Sequence, residues 1–355
     1  MVRRHLSGRL ARRIGVIAIT AVLLYIFAPT LIAVGSTWDE VSTIKPWWLA
    51  AMAVSQALSI WCLWRLQAVA IGTDDHFAVA TSQLAGGALG RMIPGGSATA
   101  AAAQYGMFAA STDDEVRRSA VATGLAMATA LQVAGLCALP LLALPAVLLG
   151  LQLPDTFAQT ALLGLAVFTG MALLTALANR SERILHAIGN AVWELGHHIP
   201  RLNPPDHLGD LLVSIRNDAR ARLGERLPTA ILATLGRWIF DFLVMVSAVV
   251  AVGATPDVWL LLLAFFTAQL LAQVAITPGG IGVVEAGLTA ALVVAGLSGP
   301  QAAIATLAYR LFNYGLMLPA GLVAWLLHRH RLRLAGREEY DPDELLGPPD
   351  QVPTR

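Results

Sequence analysis

The chain has 355 residues, of which 56% are hydrophobic and 13% charged, with a formal net charge of +1 and a mean hydropathy of +0.65. A soluble globular domain carries roughly 25% charged residues, so an ordinary soluble enzyme fold is excluded, and the near-neutral charge gives no basis for a nucleic-acid partner. The expectation is an all-α, polytopic membrane protein with no soluble catalytic domain.

Taken in chain order, apolar runs that reach or approach the ~20 residues needed to cross a bilayer as helix lie at 14–34, 46–70, 119–139, 156–178, 229–253 and 301–327. Alternating ten-residue segments of a membrane barrel are absent, so backbone groups in lipid must be satisfied inside helices. The run at 14–34 is long for a cleavable signal and no small-residue cleavage site follows it, so it reads as an uncleaved first span. Cys62 and Cys137 fall inside apolar runs and read as packing residues.

Two regions do not read as plain spans. Phe77–Phe108 is interrupted by Arg91-Met92-Ile93-Pro94-Gly95-Gly96, and Asp257–Leu297 by Thr277-Pro278-Gly279-Gly280-Ile281-Gly282. Proline removes a backbone donor and clashes with the preceding turn, and paired glycines allow the chain to reverse. Each region is expected to be a hairpin of two short helices broken at membrane depth, re-entrant in the fold expected here although the charge rule is met equally if each arm spans fully, and covered by protein or a wet cavity.

Arg outnumbers Lys 23 to 1 and is clustered. Five of the first thirteen residues are Arg; Arg180, Arg183, Arg201, Arg216, Arg220, Arg222 and Arg226 occupy the polar stretch 179–228; Arg329, Arg331, Arg333 and Arg337 follow the last span. The positive-inside rule puts all three groups in the cytoplasm. Six full spans and two broken hairpins satisfy that rule with both termini inside. The expected organisation is a membrane domain over 1–337, with a cytoplasmic loop at 179–228 whose helices lie along the inner leaflet. A disordered acidic and Pro-rich tail is expected over 338–355.

The path contains an inverted repeat, residues 46–139 running opposite to 229–327. Gly72 and Gly253, Pro94 and Pro278, and Thr123 and Thr306 are all separated by 181 to 184 residues. Broken helices at corresponding positions of inverted repeats point to a transport site near the midplane, and helix ends exposed there suit an anionic group such as phosphate. Charges inside the apolar runs point the same way, since each costs about 2.5–3.5 kcal/mol at a helix centre unless paired or facing a cavity. Arg237 and Asp241, four apart, can pair with each other; Arg91 precedes the first break, Glu285 follows the second by one turn, and Arg310 sits mid-way along the last run. Gln104, Gln269, Gln273 and Asn313 are polar lining or interhelical glue. Gly86-x-x-x-Gly90 permits close helix contact. The His residues of 179–228 lack metal-ligand spacing, and no nucleotide-binding loop, nucleophile elbow or zincin motif occurs; no metal and no cofactor are expected.

Thr277-Pro-Gly-Gly-Ile-Gly-Val-Val-Glu285-Ala-Gly, followed by Tyr309-Arg310, resembles the signature of the lysylphosphatidylglycerol synthase transmembrane family, flippase-like proteins that include the flippase half of the multiple peptide resistance factor. The helix with Arg237-Trp238 and Asp241 is similar to the family's Trp-x-x-Asp pattern. Similarity runs over about residues 10–330. The resemblance carries over Pro278, Gly279, Gly280, Gly282, Glu285 and Arg310. Ser97–Ala101, after the first break, has no charge where members usually have an acidic residue and an Arg. The chain ends soon after the last span, so the resemblance implies movement of lipid between leaflets and not aminoacyl transfer.

The expected activity is therefore transport of a phospholipid or polyprenyl-phosphate-linked head group across the bacterial cytoplasmic membrane, not enzymic catalysis. The candidate substrate site is Arg91, Pro94, Gly95, Gly96, Pro278, Gly279, Gly280, Gly282, Glu285, Arg310 and Asn313, with Arg237 and Asp241 as ion pair or coupling residues. Either Glu285 or Asp241 can carry a coupling proton. Two other readings stay open: a non-transporting partner of a lipid-modifying synthase or glycosyltransferase, and a membrane enzyme acting on a lipid phosphate.

Overall fold

The computed structural model describes residues 45–93, 96–111, 115–148, 154–197, 209–210, 213, 216–217, 221, 224–274 and 277–336. The expected span at 14–34, the tail from 338, and Pro94 and Gly95 of the first break lie outside the described residues.

Helix α1 (Pro46–Ile71) begins on Pro46, whose missing donor costs nothing in a first turn, and ends at Gly72, which adopts φ 75° while Thr73 N–H bonds back to Ala68 O at 3.0 Å. Then follow α2 (His76–Met92) and α3 (Ser97–Ala109), separated by extended Ile93 and the Gly96 turn. Helix α4 (Glu115–Leu148) continues through Pro140 and Pro145, and α5 (Asp155–Arg180) completes the first half. Helix α6 (Glu182–His197) is strongly amphipathic and is tied to the following segment by Arg216–Glu182 at 2.7 Å.

The second half opens with α7 (Leu227–Ala251), ending at Gly253 (φ 75°), and continues with α8 (Val258–Val274), a 3-10 turn over Pro278–Gly280, and α9 (Val283–Val294). The last apolar run, expected as one helix, is interrupted. Helix α10 (Gly299–Arg310) gives way to a π-helical turn (Leu311–Gly315) before α11 (Met317–Leu334). Wide turns of this kind rearrange which side chains face inward and are frequent at functional sites.

Five described helices or joined helices are long and apolar enough to cross a bilayer: Pro46–Ile71, Ala120–Ala143, Asp155–Leu173, Leu227–Ala251 and Gly299–Leu334. They coincide with five of the six runs read from sequence. At ~1.5 Å per residue, the 13 residues of α3 and the 12 of α9 extend only about 20 Å, less than the ~30 Å hydrocarbon core. Large apolar side chains point outward along the long helices, with Val54 59%, Leu162 65% and Leu232 69% exposed. Such a surface is a liability in water and is solvated by lipid. The chain is a multi-pass integral membrane protein.

Inside, α1 and α7 pack along their lengths, α2 packs on α3 and on α11, and α8 packs on α9 and on α4. Gly86 and Gly90 set the α2–α3 distance, because a Cβ at Gly86 would lie 2.7 Å from Ala100 O and one at Gly90 2.6 Å from Gly96 O. The main core gathers Leu136, Phe157, Met245, Phe265, Leu288 and Ala305 from α4, α5 and α7–α10. Cys62 and Cys137 are buried, unbridged packing residues.

Candidate functional site

Arg237 and Asp241 occupy successive turns of α7, and Arg237 Nη1 reaches Asp241 Oδ2 at 3.0 Å. Asp241 is 0% exposed, so its charge stands only if its oxygens are bonded. They are. Gln269 of α8 donates to Oδ2 at 2.9 Å, Asn313 of the π turn to Oδ1 at 2.7 Å, and Tyr309 OH to Oδ1 at 3.4 Å. Arg237 also donates to Ser59 Oγ of α1 at 3.0 Å, and that hydroxyl donates on to Arg237 O. One cation and one anion, each further hydrogen-bonded, make a neutral knot joining α1, α7, α8 and the π turn.

A second network lies beside it, because Tyr309/Arg310 and Asn313/Tyr314 are chain neighbours. Gly279, Gly280 and Gly282 all take positive φ (58°, 72° and 84°), a conformation that suits glycine. The turn therefore exposes its backbone: Glu285 Oε2 accepts from Gly282 N–H at 2.7 Å, and Arg310 Nη2 donates to Gly279 O at 2.9 Å. Arg310 Nε donates to Glu285 Oε1 at 2.8 Å, so the carboxylate caps α9 and pairs with Arg310 at once. The Arg310 guanidinium, only 9% exposed as a residue, lies 4.6 Å from the centre of the Tyr314 ring.

Tyr314 also meets the first break. Its hydroxyl donates to Arg91 O at 3.1 Å, and Arg91 Cζ stands 5.9 Å from the same ring. Two cations thus share one aromatic ring. Arg91 donates from Nη1 to Gly87 O at 2.9 Å, one turn back; among the described residues no carboxylate pairs with it. Ala88, Met92, Ile281, Tyr314 and Leu318 close the apolar side of this junction. The cluster holds two guanidiniums and one carboxylate, an excess of one positive charge.

Of the residues expected at a site, Arg91, Gly279, Glu285 and Arg310 come together. Gly280 and Gly96 are buried, and Gly282 contributes its backbone N–H. Asn313, expected with the substrate group, faces Asp241 instead. Gln104 pairs with Gln67 at 2.9 Å, away from both networks, and Gln273 is exposed. Tyr314 and Ser59 carried no expectation from the sequence, and Tyr309, part of the Tyr309-Arg310 motif, was not among the candidate site residues. The signal for the two tyrosines was present: Arg310/Tyr314 and Tyr309/Asn313 are both spaced by four.

A third cluster fastens one end of the bundle. Asp75 caps α2 by accepting from Ala78 N–H at 3.0 Å and binds both Nη atoms of Arg331, at 2.8 and 2.9 Å. His328 of α11, 2% exposed, lies 2.7 Å from Thr81 Oγ1 and 2.8 Å from Met107 O. Among the described residues no three His, Cys, Asp or Glu side chains gather as a metal set.

A comparison with curated proteins finds no match. The family model described as Lysylphosphatidylglycerol synthase TM region matches residues 13–321, which takes in both breaks, the α7 knot and the Glu285–Arg310 pair. The chain belongs to the lysylphosphatidylglycerol synthase TM region family.

Proposed function

We propose that this protein carries a phosphate-bearing lipid head group across the bacterial cytoplasmic membrane, with both chain termini on the cytoplasmic side. One observation carries the proposal: where the two broken segments meet, Arg91 and Arg310 both stand at the Tyr314 ring, and of the two only Arg310 has a carboxylate partner, Glu285, among the described residues. A surplus cation in a low-dielectric interior is costly, and a phosphodiester with one negative charge neutralises it. The head group would displace Glu285 from Arg310 and take up the Arg91 guanidinium as well, while the acyl or prenyl tails stay in lipid. Glu285, once released, is the residue placed to exchange a coupling proton. Asp241, whose oxygens are taken by four donors, acts as the fixed anchor.

Alternation across the membrane follows from an inverted repeat. Several correspondences support that architecture. Gly72 and Gly253 close α1 and α7 with the same φ of 75°, and Thr73 N–H to Ala68 O is matched by Ala254 N–H to Val249 O. Asp75 caps α2 as Asp257 caps α8, the latter accepting from Trp259 N–H at 2.8 Å. Each short helix pair packs on the long helix of the other half, α2 on α11 and α8 on α4. The lengths of α3 and α9 favour re-entrant arms whose breaks lie at membrane depth.

The test is head-group translocation in proteoliposomes made from labelled phosphatidylglycerol. Arg310→Gln and Glu285→Gln are expected to lose most transport while keeping their fold. Full retention in both removes the proposed site.

A further inference from the structure

Gln83, Gly87 and Arg91 follow one another at intervals of four along α2 and so share one face of that helix. Gln83 is 8% exposed, and its Oε1 accepts from Trp64 Nε1 of α1 at 3.1 Å. An indole offers only an N–H, so this contact fixes which end of the amide is oxygen. The other end, Nε2, is a buried donor, and among the described residues nothing accepts from it. Arg91 uses Nη1 on Gly87 O at 2.9 Å, and no carboxylate takes up its remaining N–H groups among the described residues.

Gly87 brings these two donors to one open point. A Cβ at Gly87 would lie 3.2 Å from Arg91 Nη1 and 3.6 Å from Gln83 Nε2, and among the described residues no atom of another packed element comes within 4 Å of it. Gly86 and Gly90 are small because α3 packs against them; Gly87 meets only the two donors. Glycine is a poor helix former, so its place in mid-helix is explained by keeping that point free. Gly87 and Arg91 are half-buried, and the point lies one helical turn from the Arg91–Arg310 centre.

The chemistry of the point selects its ligand. Both groups that face it are N–H donors, and one is cationic, so an oxygen placed there supplies the lone pairs they lack. An ammonium supplies none. It would also stand beside Arg91 with no carboxylate to balance it, because Glu285 is held by Arg310 at 2.8 Å. The phosphate proposed above already balances the one surplus charge, so the group that takes this point is uncharged. A buried donor left unmet is unfavourable, which is why Gln83 Nε2 points to a ligand atom.

We infer that Gln83, Gly87 and Arg91 form a donor-only subsite for a hydroxyl oxygen of an uncharged polyol or sugar group carried on the phosphate, and that Gln83 sets the preference for such a group over an ammonium-bearing one. The inference rests on the reading that Arg91 and Arg310 hold phosphate. A lysyl group, with its ammonium ends, is disfavoured by the same geometry. Trp64 is a positioning residue: by holding Oε1 it keeps the donor end of the Gln83 amide turned to Gly87.

The experiment titrates the full chain, purified in detergent, with three soluble probes by calorimetry: glycerol phosphate, ethyl phosphate and phosphoethanolamine. All carry phosphate; the first adds hydroxyls, the second neither hydroxyl nor charge, the third an ammonium. Wild type is expected to bind glycerol phosphate at least roughly ten-fold more tightly than ethyl phosphate, the scale of one hydrogen bond to a charged group, and phosphoethanolamine most weakly. Gly87→Ala fills the point with a methyl group that meets only the movable ends of two side chains. It is expected to melt no lower than wild type and to bind glycerol phosphate and ethyl phosphate equally. Gln83→Met is expected to lose most of the same preference. Equal binding of these two probes by wild type overturns the inference; if that binding is still lost in Arg310→Gln, the phosphate reading stands without it. A preference that survives in both Gly87→Ala and Gln83→Met also overturns it, because the hydroxyl is then held elsewhere. Absence of binding by all three probes overturns the phosphate reading and the inference together.

Discussion

Tyr314 donates its hydroxyl to the backbone carbonyl of Arg91, 3.1 Å away and 223 residues earlier in the chain. That contact ties the π turn of the last helix to the residue just before the first break, while the same ring lies under Arg310 and against Gly279. One aromatic residue therefore meets both broken segments and both guanidiniums, of which only Arg91 lacks a carboxylate partner among the described residues. Tyr314→Phe keeps the ring and forfeits one hydrogen bond, so a stability loss of about 0.5–1.5 kcal/mol is expected. Tyr314→Ala empties the junction, and a loss of roughly 3–5 kcal/mol is expected, with translocation reduced far more than in the Phe variant. Thermal melts in detergent and translocation in proteoliposomes read the two effects.

The glycines of the second break separate backbone strain from steric contact. A Cβ at Gly279 runs into the Tyr314 ring and sits on a backbone with φ 58°, whereas Gly282, with φ 84°, has open space around it. Gly282→Ala is expected to lose about 1–3 kcal/mol from the backbone conformation alone. Gly279→Ala is expected to lose more, because the ring beneath Arg310 must move as well. Equal melting temperatures for the two variants would show that the Tyr314 contact is slack.

The Asp241 knot yields a thermodynamic cycle. Asp241→Asn leaves Arg237 buried without its anion, a change of roughly 3–5 kcal/mol for a broken buried pair. Arg237→Gln in the same chain removes the stranded charge, so the double variant is expected to melt above the sum of the two single losses. Strict additivity contradicts the pairing.

At the bundle end, pH reports on the Asp75–Arg331 clasp. Partial burial alone would raise Asp75, but hydrogen bonds from Arg331 and from Ala78 N–H, with the Arg331 charge, override it and hold the carboxyl below the usual carboxylate range. A lowered folded value means the contribution is complete above the unfolded value of about 3.9 and disappears as pH falls through the folded value. The pair is partly exposed, 46% and 32% for the two side chains, so its worth is about 0.2–1 kcal/mol. The melting difference between wild type and Asp75→Asn should be constant from neutral pH down to about pH 5 and shrink below about pH 4. A difference that grows on acidification contradicts this.

Much of the fold was legible because lipid imposes a coarse rule: apolar runs long enough to span become helices, and five of the six runs coincide with long described helices. Both breaks were readable from Pro-Gly-Gly. The Arg237–Asp241 pair followed from a spacing of four, and Glu285 from its place one turn into α9. What stayed hidden depended on partners far apart in sequence. Gln269 and Asn313 converge on Asp241 only once α8 and the last helix pack on α7. The π turn shifts the helix register just after Arg310, and no residue type in Leu311–Gly315 announces it. Asn313 was grouped with Arg310 because both are polar and close in the chain, yet the two side chains serve different networks. His328 carries no signal in the sequence, because Thr81 Oγ1 and Met107 O, more than 200 residues away, meet its ring only in the folded chain.

If Arg310 serves to hold phosphate, its role must exceed that of an ion-pair partner for Glu285. Exchanging the two charges, Arg310→Glu with Glu285→Arg, preserves an opposite-charge pair while moving the cation away from Gly279 O and the Tyr314 ring. The measurement is translocation of labelled phosphatidylglycerol in proteoliposomes by this exchanged protein, at matched expression and with its melt recorded. The expected result is a melting temperature recovered towards wild type with transport slowed at least roughly ten-fold. Transport at the wild-type rate by the exchanged pair contradicts a phosphate-holding centre and reduces Arg310 and Glu285 to helix-packing residues.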